Sequence, residues 1–98
     1  MEIKGKAKII KSEKDYLSIE DGDILFMRNA SPEIFIHFHK IKAMIIENTS
    51  LLSHAAILAR EHNIPHNIGV ENATSIVSDG EIIIIDIKNR KITKCKNY

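Results

Sequence analysis

Ninety-eight residues make one small domain, 1–98, because domains commonly run about 100–150 residues and nothing here is long enough to split. Hydrophobic residues are 44% of the chain, enough for one core, and isoleucine and leucine fill it more than the two Tyr and three Phe. Fourteen Lys and Arg against thirteen Asp and Glu leave a net charge of +1, so no bulk field points to nucleic acid or to an anionic membrane, and binding is expected at a local site.

Cys95 is the only cysteine, which excludes an intramolecular disulfide and any CxxC metal or redox motif. The first six residues, Met1-Glu2-Ile3-Lys4-Gly5-Lys6, hold no apolar signal core, and no stretch approaches the roughly 18 apolar residues of a membrane span. The expectation is a soluble cytoplasmic protein with no nucleic acid or membrane partner.

Residues 5–11 alternate, with Ala7 and Ile9 on one face and Lys6 and Lys8 on the other, as in a half-buried strand. Polar residues 12–15 follow as a loop. Residues 16–19, Tyr-Leu-Ser-Ile, suggest a short strand, and Glu20-Asp21-Gly22-Asp23 is a strong turn signal. Ile24-Leu25-Phe26-Met27 reads as a buried strand, short and continuously apolar. Ser31 before Pro32-Glu33 marks a helix start, with serine as cap, proline at the first helical position and an acid in the first turn. Residues 33–40 fit a helix face through Ile34, Phe35 and Phe38 but also alternate; a short helix is the reading taken. Residues 42–47, around Ala43-Met44-Ile45-Ile46, form another core strand.

Residues 48–52 deliver the chain to a helix that begins at Ser53. It should end near His62-Asn63, because Pro65 disfavours helical geometry at Ile64 and asparagine tolerates the left-handed cap. Ala55, Leu58, Ala59 and His62 fall on one face, and the alanines let that face approach a sheet closely. A very short strand is expected at 68–70, a helical turn at 72–77 and a tight turn at Ser78-Asp79-Gly80. Residues 81–87 hold four successive isoleucines and read as a central strand. Lys88-Asn89-Arg90 then turns the chain into residues 91–94. The basic run from Lys88 to Lys96 lacks interleaved aromatics and is read as a solvated edge strand.

The chemistry concentrates at His54. A histidine in the first turn of a helix faces backbone N–H donors and the positive end of the dipole, so an anion on its ring is stabilised there. Near neutral pH the imidazole is a nucleophile, and its second nitrogen can hold a proton against a fixed acceptor. The N–H groups of Ala55, Ala56 and Ile57 and the hydroxyls of Ser53, Ser50 and Thr49 are the local phosphate donors, with Ser53 read first as the helix cap. Arg60 lies six residues on and on another side of the helix, which favours a structural or partner-docking role; Glu61 faces solvent. His37 with His39, and His62 with His66, are not accompanied by cysteine or a carboxylate at ligand spacing, so no metal site is expected. Asp79 and Asp86 read as turn and strand-end residues.

The succession Gly22-Asp23-Ile24-Leu25, Ser31-Pro32, Ala43, Ser53-His54-Ala55-Ala56-Ile57-Leu58-Ala59-Arg60-Glu61, Ile64-Pro65, Gly69-Val70, Ala73-Thr74, Asp79-Gly80 and Asp86 resembles one family closely. It is similar to the mobile phosphohistidine domain of the phosphoenolpyruvate-utilising enzymes: pyruvate phosphate dikinase, phosphoenolpyruvate synthase, Enzyme I of the sugar phosphotransferase system and rifampicin phosphotransferase. The resemblance implies an α/β fold, a swivelling β/β/α domain with a central sheet and a few short helices. It also implies that His54 accepts a phosphoryl group at one active site and delivers it at another.

On that resemblance the chain is a phosphotransferase component without its own nucleotide- and phosphoenolpyruvate-binding domains, which are expected as partners in trans. No cofactor is expected on the domain itself, and Mg²⁺ would be supplied at a partner's site. The sequence departs from the family pattern at Thr49-Ser50, where a Gly-Gly pair is usual, at Leu52, a threonine in many relatives, at His66-Asn67, where an apolar pair is usual, and at Ile87 and Arg90, where glycines are usual. The Thr49-Ser50 and His66-Asn67 departures keep a second reading open, a catalytically inactive binding or regulatory module that retains the fold.

Overall fold

A computed structural model describes residues 2–29, 31–47 and 53–95, without the side chains of residues 32 and 53–56. Its strands are Glu2–Ile10 (β1), Asp23–Met27 (β2), Ala43–Ile46 (β3), His66–Asn67 (β4), Ile82–Asp86 (β5) and Lys91–Lys94 (β6). One α-helix, Ser53–Glu61 (α1), lies between β3 and β4, and two 3₁₀ helices, Glu13–Ser18 and Pro32–His37, follow β1 and β2. The six strands form one mixed sheet in the order β4-β3-β2-β1-β5-β6. β1 to β4 run parallel to their neighbours, whereas β5 is antiparallel to β1, and β6 to β5.

The middle of the sheet is covered on both faces, which is why β2 and β3 read as unbroken apolar runs. Leu25, Met27, Met44 and Ile46 point to the helical side, where they meet Ile10, Tyr16, Ile34, Phe38 and Ala59. Ile24, Phe26, Ala43 and Ile45 point the other way and pack on Ala7, Ala73, Val77, Ile83 and Ile85. The alternation of Ala7 and Ile9 therefore faces the second layer.

β1 changes partner along its length. Residues 2–6 pair with β5, while residues 6–10 pair with β2. Ahead of β5 the turn at residues 78–81 extends the ladder: Ala7 N–H donates to the Glu81 carbonyl, Gly80 N–H to the Ala7 carbonyl, and Ile9 N–H to Asp79 Oδ1 at 2.8 Å. Gly5 sits where a Cβ would come within 2.7 Å of the Gly22 carbonyl oxygen, so the strand there admits no side chain.

Side chains join the two ends of the sheet. Asn67 of β4 donates from Nδ2 to the Ile87 carbonyl at 3.1 Å, and Arg90 donates from Nη2 to the Ile68 carbonyl at 2.7 Å. Because β4 is one edge and the β5–β6 hairpin the other, these bonds mark a sheet curled until its ends approach. Arg90 takes a left-handed backbone (φ 55°), the geometry that favours glycine at this place.

Three expectations change. Residues 12–15 are not a plain loop and residues 16–19 are not a strand: Glu13–Ser18 is the first 3₁₀ helix, because the Asp15 carboxylate accepts from Lys11 and Ser12 N–H and coils the chain. The short strand after Pro65 is His66–Asn67 and not 68–70, because Gly69 turns to positive φ (69°) immediately after it. β5 lies inside the sheet between β1 and β6, as a central strand should, with Ile83 and Ile85 buried and Ile82 exposed. The remaining elements lie where the sequence places them, including the Ser31 cap, whose Oγ accepts from Glu33 N–H, and the exposed edge strand β6.

A cationic cleft at the carboxyl ends of the parallel strands

β3, α1 and β4 form a crossover between parallel neighbours. The helix runs back against strand direction, so α1 begins at the carboxyl-terminal edge of the sheet, where β1 and β2 also end. His54 is its second residue. In open α/β sheets this edge is where ligands bind.

The far end of α1 is fixed by backbone geometry. Ile64 N–H donates to the Ala59 carbonyl and Asn63 N–H to the Arg60 carbonyl, with Asn63 left-handed at φ 58°. That is a Schellman cap, and Ile64 packs on the core that contains Ala59. Ala59 is fully buried, so the backbone of α1 lies close to the sheet, and Pro65 then leads directly into β4 through the bond from Met44 N–H to the Pro65 carbonyl.

At the same edge a cleft of about 580 Å³ opens, lined by Ile10, Lys11, Ser12, Glu13, Tyr16, Arg28, Asn29, Ser31 and Thr74. Its size lies within the range of small-ligand sites, about 300–1,000 Å³. Lys11 and Arg28 are the residues that directly follow β1 and β2. Burial pushes the Tyr16 hydroxyl above its ordinary value, so the phenol is a neutral donor on the cleft wall.

Glu47, the residue after β3, organises the rim. Its N–H donates to the Met27 carbonyl, and its Oε2 accepts from both the N–H and the hydroxyl of Thr74 at 3.0 Å. Its Oε1 lies 3.6 Å from Arg28 Nε. The Thr74 N–H holds the Glu47 carboxyl below the usual carboxylate range against partial burial, with help from the Thr74 hydroxyl and the Arg28 guanidinium. An anionic Glu47, the last described residue before α1, thus ties β3 to the segment carrying Thr74.

Of the predicted site residues, Thr49 and Ser50 lie outside the described residues, as do the side chains of Ser53, His54, Ala55 and Ala56; their backbones from Ser53 onward form the first turn of α1. Arg60 is exposed in the last turn, away from that end. Asp79 bonds Ile9 N–H. Asp86 accepts from Asn89 at the β5–β6 turn, and those bonds hold its carboxyl low. The other histidines are dispersed. His37 stacks on Tyr16, His62 meets Phe35 and Phe38 edge-on, and His66 Nδ1 lies 2.9 Å from the Ile64 carbonyl. Among the described residues no three His, Cys, Asp or Glu side chains converge on a metal position, and no helix is long and apolar enough to cross a membrane.

Lys11, Arg28, Glu47 and the cleft itself were absent from the sequence-derived site. Each is a charged residue at the end of a buried strand, a signal that becomes meaningful once the strands are known to be parallel.

Residues 19–90 match the family described as PEP-utilising enzyme, mobile domain. The chain is 38% identical over 89 residues to the uncharacterized phosphotransferase YvkC of Bacillus subtilis, covering 91% of this chain and 11% of that protein. It is 38% identical over 81 residues to rifampicin phosphotransferase of Bacillus cereus, covering 83% of this chain and 9% of that one. With the probable phosphoenolpyruvate synthase of Archaeoglobus fulgidus it shares 33% identity over 82 residues, 84% of this chain and 11% of the relative. The chain therefore spans about a tenth of the length of these curated relatives. In fold it is similar to the NMR solution structure of Enzyme I (nEIt), with a TM-score of 0.66 at 23% identity, covering 82% of this chain and 33% of that one. The mixed six-stranded sheet with its few short helices is the α/β architecture of that neighbour, and the chain belongs to the family of mobile domains of PEP-utilising enzymes.

Proposed function

We propose that this domain is a phosphohistidine carrier: His54 accepts a phosphoryl group from a phosphoenolpyruvate- or ATP-dependent partner and passes it to an acceptor at a second site. The observation that carries the reading is the placement of His54 in the first turn of α1, at the sheet edge that also holds the cationic cleft.

In the transfer, one ring nitrogen of His54 supplies the electron pair of the new N–P bond while the donor's P–O bond breaks and its electron pair leaves with the donor oxygen. The other ring nitrogen keeps its proton. Such transfers pass through a loose transition state, so the domain's task is positioning and charge neutralisation. The N–H groups of Ala55 and Ala56 and the hydroxyls of Ser53, Ser50 and Thr49 are the proposed donors to the phosphoryl oxygens. Arg60 is assigned to partner docking. Nucleotide-binding and phosphoenolpyruvate-binding domains are the proposed partners, Mg²⁺ is placed at a partner's site, and the location is taken as cytoplasmic.

The competing reading, an inactive module that keeps the fold, draws on Thr49-Ser50 and His66-Asn67. Asn67 has a structural account, as does Arg90, another departure from the family pattern. Asn67 and Arg90 bond the backbone of each other's segments, so they serve closure of the sheet and carry no argument about transfer.

Incubation with labelled phosphoenolpyruvate or ATP and a host extract should give an acid-labile, alkali-stable phosphoryl group that is absent from His54→Ala. Absence of label from every fraction would overturn the carrier reading.

A further inference from the structure

The carrier reading leaves open what neutralises the phosphoryl group while the domain is between partners. We propose that Arg28 does so: it is the domain's own phosphoryl ligand, exchanging Glu47 for the group on His54. The inference rests on the carrier reading.

Arg28 directly follows β2, whose last residue, Met27, pairs with Ile46 of β3. It therefore stands beside Glu47, the last described residue before α1, and it lines the cleft. Its present contact is loose. Nε is 3.6 Å from Glu47 Oε1, longer than a hydrogen bond, and the side chain is 77% exposed. An exposed pair of this geometry holds its partners weakly.

Glu47 does not depend on Arg28. Thr74 already gives it two hydrogen bonds at 3.0 Å, so the arginine can leave without stranding the carboxylate. The guanidinium fork matches two phosphoryl oxygens, which a single carboxylate oxygen on Nε does not exploit.

Several other described cations have partners outside the cleft lining. Arg90 bonds the Ile68 carbonyl, Lys42 the Lys4 carbonyl, Lys6 pairs with Glu20 and Lys8 stands near Asp79. Among the described residues that line the cleft, the cations are Lys11 and Arg28 and the acid is Glu13. Arg28 is the one next to the β3 end, and Lys11 adds to the same field from the β1 end.

The test phosphorylates the purified chain with phosphoramidate, which needs no partner, and follows the ³¹P resonance that is missing from His54→Ala. The expected result is that the second ionisation of the phosphoryl group occurs at lower pH in the native chain than in Arg28→Gln, by about half a unit or more, with Arg28→Lys between them. Glu47→Gln, which removes the competing carboxylate, should keep the low midpoint. Coincident midpoints for the native chain and Arg28→Gln would overturn the proposal, as would labelling of other histidines with none at His54. Circular dichroism checks that Arg28→Gln is folded, as its exposure leads one to expect. Labelling in host extract reads the carrier role separately: host labelling with coincident midpoints refutes Arg28 alone, whereas a shifted midpoint with no host labelling refutes the carrier role.

Discussion

Two arginines stand at the two functional extremes of this small sheet. Arg90 belongs to the closure region: it donates to the Ile68 carbonyl at 2.7 Å, and Asn67 makes a second bond across the same gap. Arg28 belongs to the cleft: its one ion-pair contact is 3.6 Å long and most of its side chain is in water. A guanidinium aimed at a backbone carbonyl has its hydrogen-bonding capacity drawn into the fold. One resting against a carboxylate that is already satisfied remains available for an incoming anion. One arginine is thus drawn into closure of the sheet, and the other stays free to meet an anion at the cleft.

The comparison can be broken most decisively at His54. His54→Ala is expected to abolish acid-labile phosphorylation, measured by filter-bound label after alkaline treatment, with the sheet retained by circular dichroism.

Next in size are changes to closure. Asn67→Ala should cost about 1–2 kcal/mol in urea unfolding, because the Ile87 carbonyl loses its donor. Arg90→Ala should cost about 1 kcal/mol, whereas Arg90→Gly should be milder because glycine relieves the left-handed backbone at φ 55°. The two bonds span one gap, so Asn67→Ala combined with Arg90→Ala should lose less than the separate losses added together. Strict additivity in a double-mutant cycle would show that the two ends are held independently.

Acid provides a third, smaller effect. Thr74 holds Glu47 below its ordinary value of 4.5 in the folded state, so its contribution to stability is fully present above 4.5 and is lost as pH falls through the depressed folded value. The urea midpoint should therefore drop less between about pH 7 and pH 3 in Glu47→Gln than in the native chain. Equal slopes would mean that the Thr74 bonds do not hold the charged form.

The smallest expected change is in Arg28→Gln, whose stability should lie within about 0.5 kcal/mol of the native chain, as for an ordinary surface position. A large loss of stability there would move Arg28 to the structural side of the comparison.

Local signals recovered most of the elements. Ser31 and Pro32 announced their helix because capping acts within one turn. Asn63 before Ile64-Pro65 announced the end of α1, and the Schellman bonds are equally local. The strand misread at residues 16–19 has a local cause of another kind: Asp15 reached back to two N–H groups, a competition that hydrophobic pattern does not register. The four isoleucines of β5 announced a strand inside the sheet, and only the packing shows that Ile83 and Ile85 are buried while Ile82 is exposed.

The candidate site divided in the same way. His54 was visible because the motif that holds it is contiguous along one helix. Glu47 and Thr74 are 27 residues apart in sequence, and their bond exists only because β3 ends beside the turn that carries Thr74.

By itself the amino-acid sequence determined most of the strands and helices, where α1 starts and stops, and that His54 lies in its first turn, since these depend on periodicity and on hydrogen bonds within a few residues. Tertiary structure alone decided that four strands run parallel, that the two ends of the sheet meet through Asn67 and Arg90, and that Lys11 and Arg28 share a cleft. Parallel pairing is set by connections that cross the sheet, and a charge at a strand end acquires meaning only when neighbouring strands end at the same edge.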